Sequence, residues 1–168
     1  MVAASGPDQP GIVAEFTRVF VDRDCNLEDS SMTVLRGHFA MMLVVDAPDG
    51  VTQDDLESDL GFATSALGLI VNVWEISTLV SEPAAGERWL VSIRGADRKG
   101  IVHSVARVLA KSDANIVDVA TRLVDGAEYS MELWVIVPDT TDAGALGLEL
   151  AAVAKRLGVE CSLQHDAL

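Results

Sequence analysis

The chain has 168 residues, and 26 acidic residues against 12 lysines and arginines give it a formal net charge of −14. A surface of this charge repels phosphate backbones, so the composition excludes direct binding of nucleic acid, and we attribute the acidity to solubility. Hydrophobic residues make up 49% of the sequence, which is enough for the two small cores that a chain of this length could build.

The sequence contains an internal repeat. The segment 8–13 returns as 97–102, both with the form Asp-x-x-Gly-Ile-Val, and Asn26 returns as Asn115 at the same spacing. Near Gly126 the spacing grows by one residue and then holds to the end of the repeat. A repeat of this length corresponds to a small domain rather than to a solenoid unit. The sequence therefore predicts a tandem duplication.

Each copy opens with a short predicted strand, at 2–5 in the first copy and at 90–94 in the second. After the Asp-x-x-Gly turn, apolar residues recur at i, i+4, i+7 and i+8, as a helix with one buried face requires. These positions are Ile12, Phe16, Val19 and Phe20, matched by Ile101, Val105, Val108 and Leu109. We predict that Asp24 and Asp113 end the two helices.

Two strands, a second helix and a last strand follow in each copy. The predicted strand pairs are 27–35 with 38–46, joined through Arg36-Gly37, and 116–124 with 128–137, joined through Asp125-Gly126-Ala127. The second helices have a helical apolar stripe at Leu56, Leu60, Ala63 and Leu67, matched by Leu146, Leu150, Val153 and Leu157. We predict a cap at Thr52 with Asp55, stops at Gly68 and Gly158, and last strands at 69–76 and 159–164.

This order is βαββαβ in each copy. Because each helix has a single apolar stripe, both helices of a copy can pack on one face of an antiparallel four-stranded sheet, which is the ferredoxin-like arrangement. We therefore predict an α+β chain of two tandem ferredoxin-like domains, at 1–80 and 88–168, joined by the polar linker 81–87. Lone domains of this size are only modestly stable, so we expect the domains to pack together or the chain to form a homodimer.

We expect ligand binding at the strand-to-helix turns. Gly11 and Gly100 let a backbone approach closely, and the free N–H groups of a helix N-terminus favour a carboxylate. Asn26 and Asn115 offer amide donors and acceptors to the zwitterion of an amino acid. The alternative is structural, with the glycine making the turn, the aspartate capping the helix and the asparagine closing its far end.

The βαββαβ order with Asp8-Gln-Pro-Gly-Ile-Val13 at the first turn resembles the ACT domain, a small regulatory module that binds amino acids. Asn26-Leu27 and Asn115-Ile116 match a second hallmark of that family, and the likeness spans essentially the whole chain. The segment 26–30, the apolar third strand and Gln164-His165-Asp166 look more narrowly like the glycine cleavage system transcriptional repressor family of double ACT proteins. The predicted ligand-binding residues are Asp8, Pro10, Gly11, Ile12, Val13 and Asn26, with Asp97, Lys99, Gly100, Ile101, Val102 and Asn115 in the second copy.

The two copies differ, and they need not bind the same molecule. Lys99 replaces Pro10, so the second turn is less rigid and positively charged; the lysine either attracts an acidic ligand or is simply solvated. Asp29 and Asp118 lie at equivalent positions of the second strand. An acidic residue in a strand usually faces solvent or keeps an exposed sheet edge from pairing with another strand. Because that strand of ACT domains often contacts another ACT domain, we predict an interface role for both aspartates.

Nothing in the sequence indicates catalysis, a cofactor or a metal site. His38, His103 and His165 share no metal-ligand spacing with cysteines or carboxylates, and no nucleophile elbow or Walker loop occurs. Cys25 follows Asp24, and an acidic neighbour raises the pKa of a thiol. With no visible signal peptide and no apolar run long enough to cross a bilayer, we expect a cytoplasmic protein that does not bind membranes.

Three functions compete. The leading hypothesis is a non-enzymatic regulator that binds an amino acid such as glycine or serine at ACT interfaces and, as the resemblance implies, modulates a protein partner such as a transcription activator. The second is a dimerisation or protein-docking module that binds no ligand. The third and weakest is an enzyme built on the ferredoxin-like sheet, since fold alone does not establish activity.

Overall fold

The computed structural model describes residues 1–76, 85–124 and 128–166, with Val124 as backbone only. The chain divides into two compact units, Met1–Val80 and Ser81–Leu168. The first contains β1 (Val2–Pro7), α1 (Ile12–Asp22), β2 (Asn26–Leu35), β3 (His38–Asp46), α2 (Gln53–Thr64), a 3₁₀ turn (Ser65–Leu67) and β4 (Ile70–Val73). The second contains β5 (Gly86–Ala96), α3 (Ile101–Lys111), β6 (Asn115–Val124), β7 (Glu128–Pro138), α4 (Ala143–Leu157) and β8 (Val159–His165).

Both units contain the predicted four-stranded sheet. The strand orders are β2-β3-β1-β4 and β6-β7-β5-β8, and neighbouring strands are antiparallel. Along β3, Phe39, Met41 and Leu43 alternate with more exposed residues and pack with the apolar stripes of α1 and α2. The two helices of a unit therefore cover one face of its sheet, which confirms the ferredoxin-like α+β architecture.

The predicted helix ends are confirmed by backbone geometry. Asp24 and Asp113 have φ of 55° and 52°, in the left-handed region that aspartate tolerates better than most residues. The next residue then donates its N–H back into the helix, from Cys25 to the Phe20 carbonyl at 2.8 Å and from Ala114 to the Leu109 carbonyl at 3.0 Å. Both helices therefore stop at the same point, and the chain turns directly into the edge strand of its sheet.

Most strand boundaries lie within two residues of the prediction, and two differ by more. Strand β5 begins at Gly86, inside the predicted linker, because Gly86 pairs with Pro138 and a Cβ there would collide with the Val137 carbonyl. The glycine therefore belongs to the strand rather than to a flexible connection. Strand β4 ends at Val73 instead of residue 76, because β1, the only strand that pairs with it among the described residues, begins at Val2 opposite Val73. The linker residues 81–84 and the hairpin residues Asp125-Gly126-Ala127 lie outside the described residues.

The cap of α2 is reciprocal, as predicted. The Thr52 hydroxyl oxygen accepts the Asp55 N–H at 3.1 Å, and an Asp55 carboxylate oxygen accepts the Thr52 N–H at 3.0 Å. The Thr52 hydroxyl also donates to this carboxylate at 2.7 Å, and these bonds hold the pKa of Asp55 below its usual value. A capping box of this kind satisfies two N–H groups that the helix itself leaves free.

We expect Thr52→Ala to lower the free energy of unfolding of the first unit by about 1 kcal/mol, the usual value of an N-cap side chain. The same change should raise the pKa of Asp55, because its hydroxyl donor is lost. Urea denaturation and an NMR titration of the Asp55 carboxyl measure the two effects. The neighbouring variant Gln53→Ala keeps both capping bonds and is the control, so an equal loss of stability in the two variants would contradict the prediction.

Candidate ligand site at the strand-to-helix turns

Both Asp-x-x-Gly turns end in a left-handed glycine. Gly11 has φ 99° and Gly100 has φ 90°, each is the N-cap of its helix, and within the described residues no side chain caps either helix. Among the described residues, the aspartate cap assumed by the structural alternative is not found, whereas the glycine turn that it also assumed is present. The first N–H groups of α1 and α3 lack a side-chain acceptor, and such groups attract a carboxylate.

The first turn is fixed by contacts on two sides. The Asp8 N–H donates to the Gly37 carbonyl in the β2–β3 hairpin at 2.9 Å. The Gln9 amide donates to the Leu67 carbonyl, at the end of the 3₁₀ turn, at 2.7 Å. The turn therefore has a defined position at the end of the sheet where the hairpin and the start of β4 also lie.

The motif side chains divide between the core and the surface. Asp8, Pro10 and Gly11 are exposed, as are Asp97, Lys99 and Gly100 in the second unit. Ile12 is only 2% exposed and packs in the core, whereas Val13 is 47% exposed, and Ile101 and Val102 repeat this division. The isoleucines thus hold the turns against the cores and can offer a ligand only their main chain.

Each unit separates its glycine turn from its asparagine. Asn26 pairs with Asp46, and β2 then runs to Leu35, which pairs with His38 at the hairpin end. Helix α1 begins beside Gly11, has 11 residues, and ends shortly before Asn26, so it spans about 16 Å at 1.5 Å per residue. Asn115 occupies the same place in the second unit, opposite Ile136. Neither unit alone brings its predicted turn residues and its asparagine together.

A cavity of about 710 Å³ opens at the same end of the first sheet as the glycine turn. Its lining includes Gly6, Arg36, His38, Gly68 and Ile70, and its volume lies in the range of small-molecule sites. None of these residues is among the predicted site residues. Gly6 could have been found, because it returns as Gly95 at the spacing of the repeat.

Gly6 brings β1 close to the start of β4. A Cβ at this position would lie 2.7 Å from a Leu69 methyl carbon and 2.9 Å from the Gly68 carbonyl oxygen. In the second unit a Cβ on Gly95 would lie 2.9 Å from a Val159 methyl carbon. Only glycine fits at these positions, so in both copies the first strand lies close to the start of the last strand beside the turn.

The second turn has a different chemistry. The Arg98 guanidinium lies against Gly158, 3.4 Å from where a Cβ would stand, and Lys99 is exposed beside it. Tyr129 occupies the position of Phe39, and burial together with the nearby Asp97 carboxylate raises the pKa of its hydroxyl. A ligand at this turn would meet two cations that the motif of the first turn lacks.

Asp29 and Asp118 have a local role in the exposed edge strands. The pairing of β2 with β3 shifts between Leu27 and Asp29, and that of β6 with β7 shifts between Ile116 and Asp118, so a bulge stands at the same place in both units. The Asp29 carboxylate accepts the Ser30 N–H at 2.7 Å, and the Asp118 carboxylate accepts the Val119 N–H at 2.8 Å. Their interface role stays a prediction.

The remaining candidate groups are the two cysteines and the possible metal ligands. Burial raises the thiol pKa of both Cys25 and Cys161; for Cys25 the Arg23 guanidinium lowers it, the carboxylates of Asp24 and Asp46 raise it, and the net pKa is raised. Across residues 1–76, 85–124 and 128–166, no three or more His, Cys, Asp or Glu residues stand close enough together to hold a metal ion. None of the described helices has the length and apolar content that crossing a membrane requires.

Comparisons with known proteins agree with this geometry. The ACT domain family profile matches residues 1–74 and 87–164. A UPF0237 protein of Methanocaldococcus jannaschii is 35% identical over 79 residues, which are 47% of this chain and 88% of that protein. The glycine cleavage system transcriptional repressor of Escherichia coli is 24% identical over 178 aligned positions, covering 99% of this chain and 92% of that protein.

A solved structure has a similar fold over nearly the whole chain. The crystal structure of an unknown protein from Galdieria sulphuraria has a TM-score of 0.82 and 29% identity to this chain, covering 99% of this chain and 96% of that one. The family profile matches both halves, so the predicted likeness to double ACT proteins is confirmed over the whole length. The chain belongs to the ACT domain family and contains two ACT units in tandem.

Proposed function

We propose that this chain is a non-enzymatic cytoplasmic regulator that binds a small amino acid at the Asp-x-x-Gly turns. The observation that carries the proposal is the left-handed, uncapped glycine turn, which occurs in both units. The free N–H groups and the dipole at such a helix start favour the carboxylate of an amino acid. The absence of a Cβ at Gly11 and Gly100 lets that carboxylate approach the backbone.

The separation of glycine and asparagine implies a shared site. Because Asn26 lies about one helix length from Gly11 within its own unit, a ligand as short as glycine or serine cannot touch both. In this proposal a complete site combines the turn of one ACT unit with the asparagine of an ACT unit in a second copy of the chain. Ligand binding would then favour one arrangement of ACT units over others, which is how a ligand shifts an equilibrium.

The name of the Escherichia coli relative suggests which ligand the chain binds and which kind of protein it regulates. That protein is called a glycine cleavage system transcriptional repressor, so we propose glycine or a close analogue as the ligand and a transcription activator as the protein partner. The net charge of −14 supports an action on protein rather than on DNA. A homodimer would supply the additional ACT units.

A screen of thermal unfolding against the proteinogenic amino acids tests this proposal. A ligand at about a hundred times its dissociation constant adds roughly 2.7 kcal/mol of stability, so we expect one responder to raise the melting temperature by about 5 to 10 °C. Asn26→Ala or Asn115→Ala should weaken binding of that responder about tenfold through the lost hydrogen bonds. Asn72→Ala, an exposed asparagine of β4, is the matched control.

The alternative is a docking module without a ligand. Its support is the exposed edge strand β2, on which Met32, Val34 and Leu35 are exposed; such an edge can pair with another chain. A flat amino-acid screen together with a stable dimer in light scattering would favour this alternative. An amino acid that stabilises the parent protein clearly more than it stabilises the Asn26→Ala or Asn115→Ala variant would exclude it.

A further inference from the structure

Several positively charged side chains lie together on the helix side of the second unit, although the chain as a whole is acidic. A groove of about 730 Å³ lies between α3 and α4. We call it the basic groove and define it by His103, Arg107, Lys111, Lys155 and Arg156; Glu149 is the one acidic residue in its lining. His103, Arg107 and Lys111 are spaced i, i+4 and i+8, so they stand in a row along one face of α3.

These cations have no acidic partners in the part of the chain that the structure describes. None of Arg107, Lys111, Lys155 and Arg156 forms a salt bridge there, and all four side chains are exposed. The groove floor is apolar, with Val108 and Val153 buried beneath the charges. The cations are therefore available to a ligand from solvent.

The first unit shows that the fold does not need this charge. Arg18 stands at the position of Arg107, but its guanidinium is held by Glu15 at 3.1 Å and Asp22 at 2.8 Å. Asp22 stands where the second unit has Lys111, and Ser65 and Ala66 stand where it has Lys155 and Arg156. The same surface is thus neutralised in one copy and strongly basic in the other.

Helix termini explain only part of this pattern. Lys111, Lys155 and Arg156 lie in the last turns of their helices, where cations interact favourably with the helix dipole. Arg107 lies one turn before the end of α3, where a cation gains little from the dipole. The dipole therefore does not account for the position of Arg107 on the groove.

We propose that the basic groove binds a small polyanion with two or more phosphate or carboxylate groups. Arginine forks and lysine ammonium groups are the usual ligands of such anions. A macromolecular polyanion would also meet the acidic remainder of the surface, whereas charges beyond about 8 Å are screened from a small ligand at physiological salt. No Trp, Tyr or Phe is among the described residues that line the groove, so it lacks a platform for stacking a base.

Isothermal titration with sodium tripolyphosphate, and separately with citrate, tests the proposal in a phosphate-free buffer. We expect one site per chain for at least one of the two probes, with an affinity that falls as salt is added. Arg107→Glu should raise the dissociation constant at least about tenfold by reversing a charge in the middle of the groove. Arg18→Glu makes the same change of net charge at the equivalent place of the first unit and should leave the dissociation constant unchanged.

Circular dichroism and thermal unfolding of both variants check that they are folded. Because both arginines are exposed on helices, we expect native spectra. A second pair of variants, Lys155→Ser and Arg156→Ala, places the residues of the first unit in the groove and should also weaken binding. Three results would each overturn the proposal: neither probe binds, the Arg107 and Arg18 variants weaken binding equally, or a synthetic glutamate-rich peptide binds at this groove while both small anions do not.

Discussion

Phe16→Ala is expected to lower the free energy of unfolding of the first unit by about 3–5 kcal/mol, which is the usual cost of removing a buried phenylalanine ring. Phe16 is 0% exposed and makes an edge-to-face contact with Phe20, with ring centroids 6.4 Å apart. Because a small domain has only about 5–15 kcal/mol of stability in total, this loss should leave the unit close to unfolding.

The matched control is Phe62→Ala in the same unit. Phe62 is 85% exposed on α2, so its removal should change stability by no more than about 0.5 kcal/mol. Urea denaturation followed by Trp74 fluorescence, in a background with Trp89→Phe and Trp134→Phe, reports on the first unit, because Trp74 is its only tryptophan. Equal losses in the two variants would show that α1 does not pack as the structure places it.

Gly6→Ala should destabilise the first unit by about 1–3 kcal/mol, as expected when a methyl group is forced into a filled space. The added carbon would lie 2.7 Å from a Leu69 methyl carbon and 2.9 Å from the Gly68 carbonyl oxygen. The carbonyl belongs to the backbone, which moves less readily than a side chain. To relieve the contact, β1 and the start of β4 must move apart at the end of the sheet that carries the candidate site.

The same substitution at Gly61 should have the opposite sign. Gly61 lies inside α2, and beyond its chain neighbours and the adjacent helix backbone no atom lies within 4 Å of an added Cβ. Alanine should therefore stabilise the unit by about 0.5–1 kcal/mol through its better helix propensity. The urea assay with Trp74 measures both variants. A stabilising or neutral Gly6→Ala would mean that the two strands are less closely packed than described.

The sequence predicted the elements well where local chemistry decides them. The apolar stripes placed all four helices, Asp24 and Asp113 marked the ends of two of them, and Thr52 with Asp55 marked the start of a third. The start of β5 was missed because a glycine in a polar segment is typical of a linker. Only pairing with Pro138, a residue far along the chain, makes Gly86 part of a strand.

The candidate site was only partly accessible from sequence. The repeat identified Gly11 and Gly100, but spacing along the chain does not tell at which end of a sheet a residue lies. The separation of Gly11 from Asn26 became visible only through the strand order and the direction of β2. In the same way, the row of cations on α3 could be read from spacing, whereas Lys155 and Arg156 join it only through the packing of α4 on α3.

The unlike helix surfaces of the two units have a consequence for how this architecture evolves. A relative with the length of one unit, such as the UPF0237 protein, presents the same helix face on every copy in any assembly it forms. Covalent duplication removes that restriction, since a mutation in one half is no longer repeated in the other. The two helix faces can then diverge in charge. Because both faces belong to one chain, they are always present in a one-to-one ratio, and no second gene has to be expressed at a matching level.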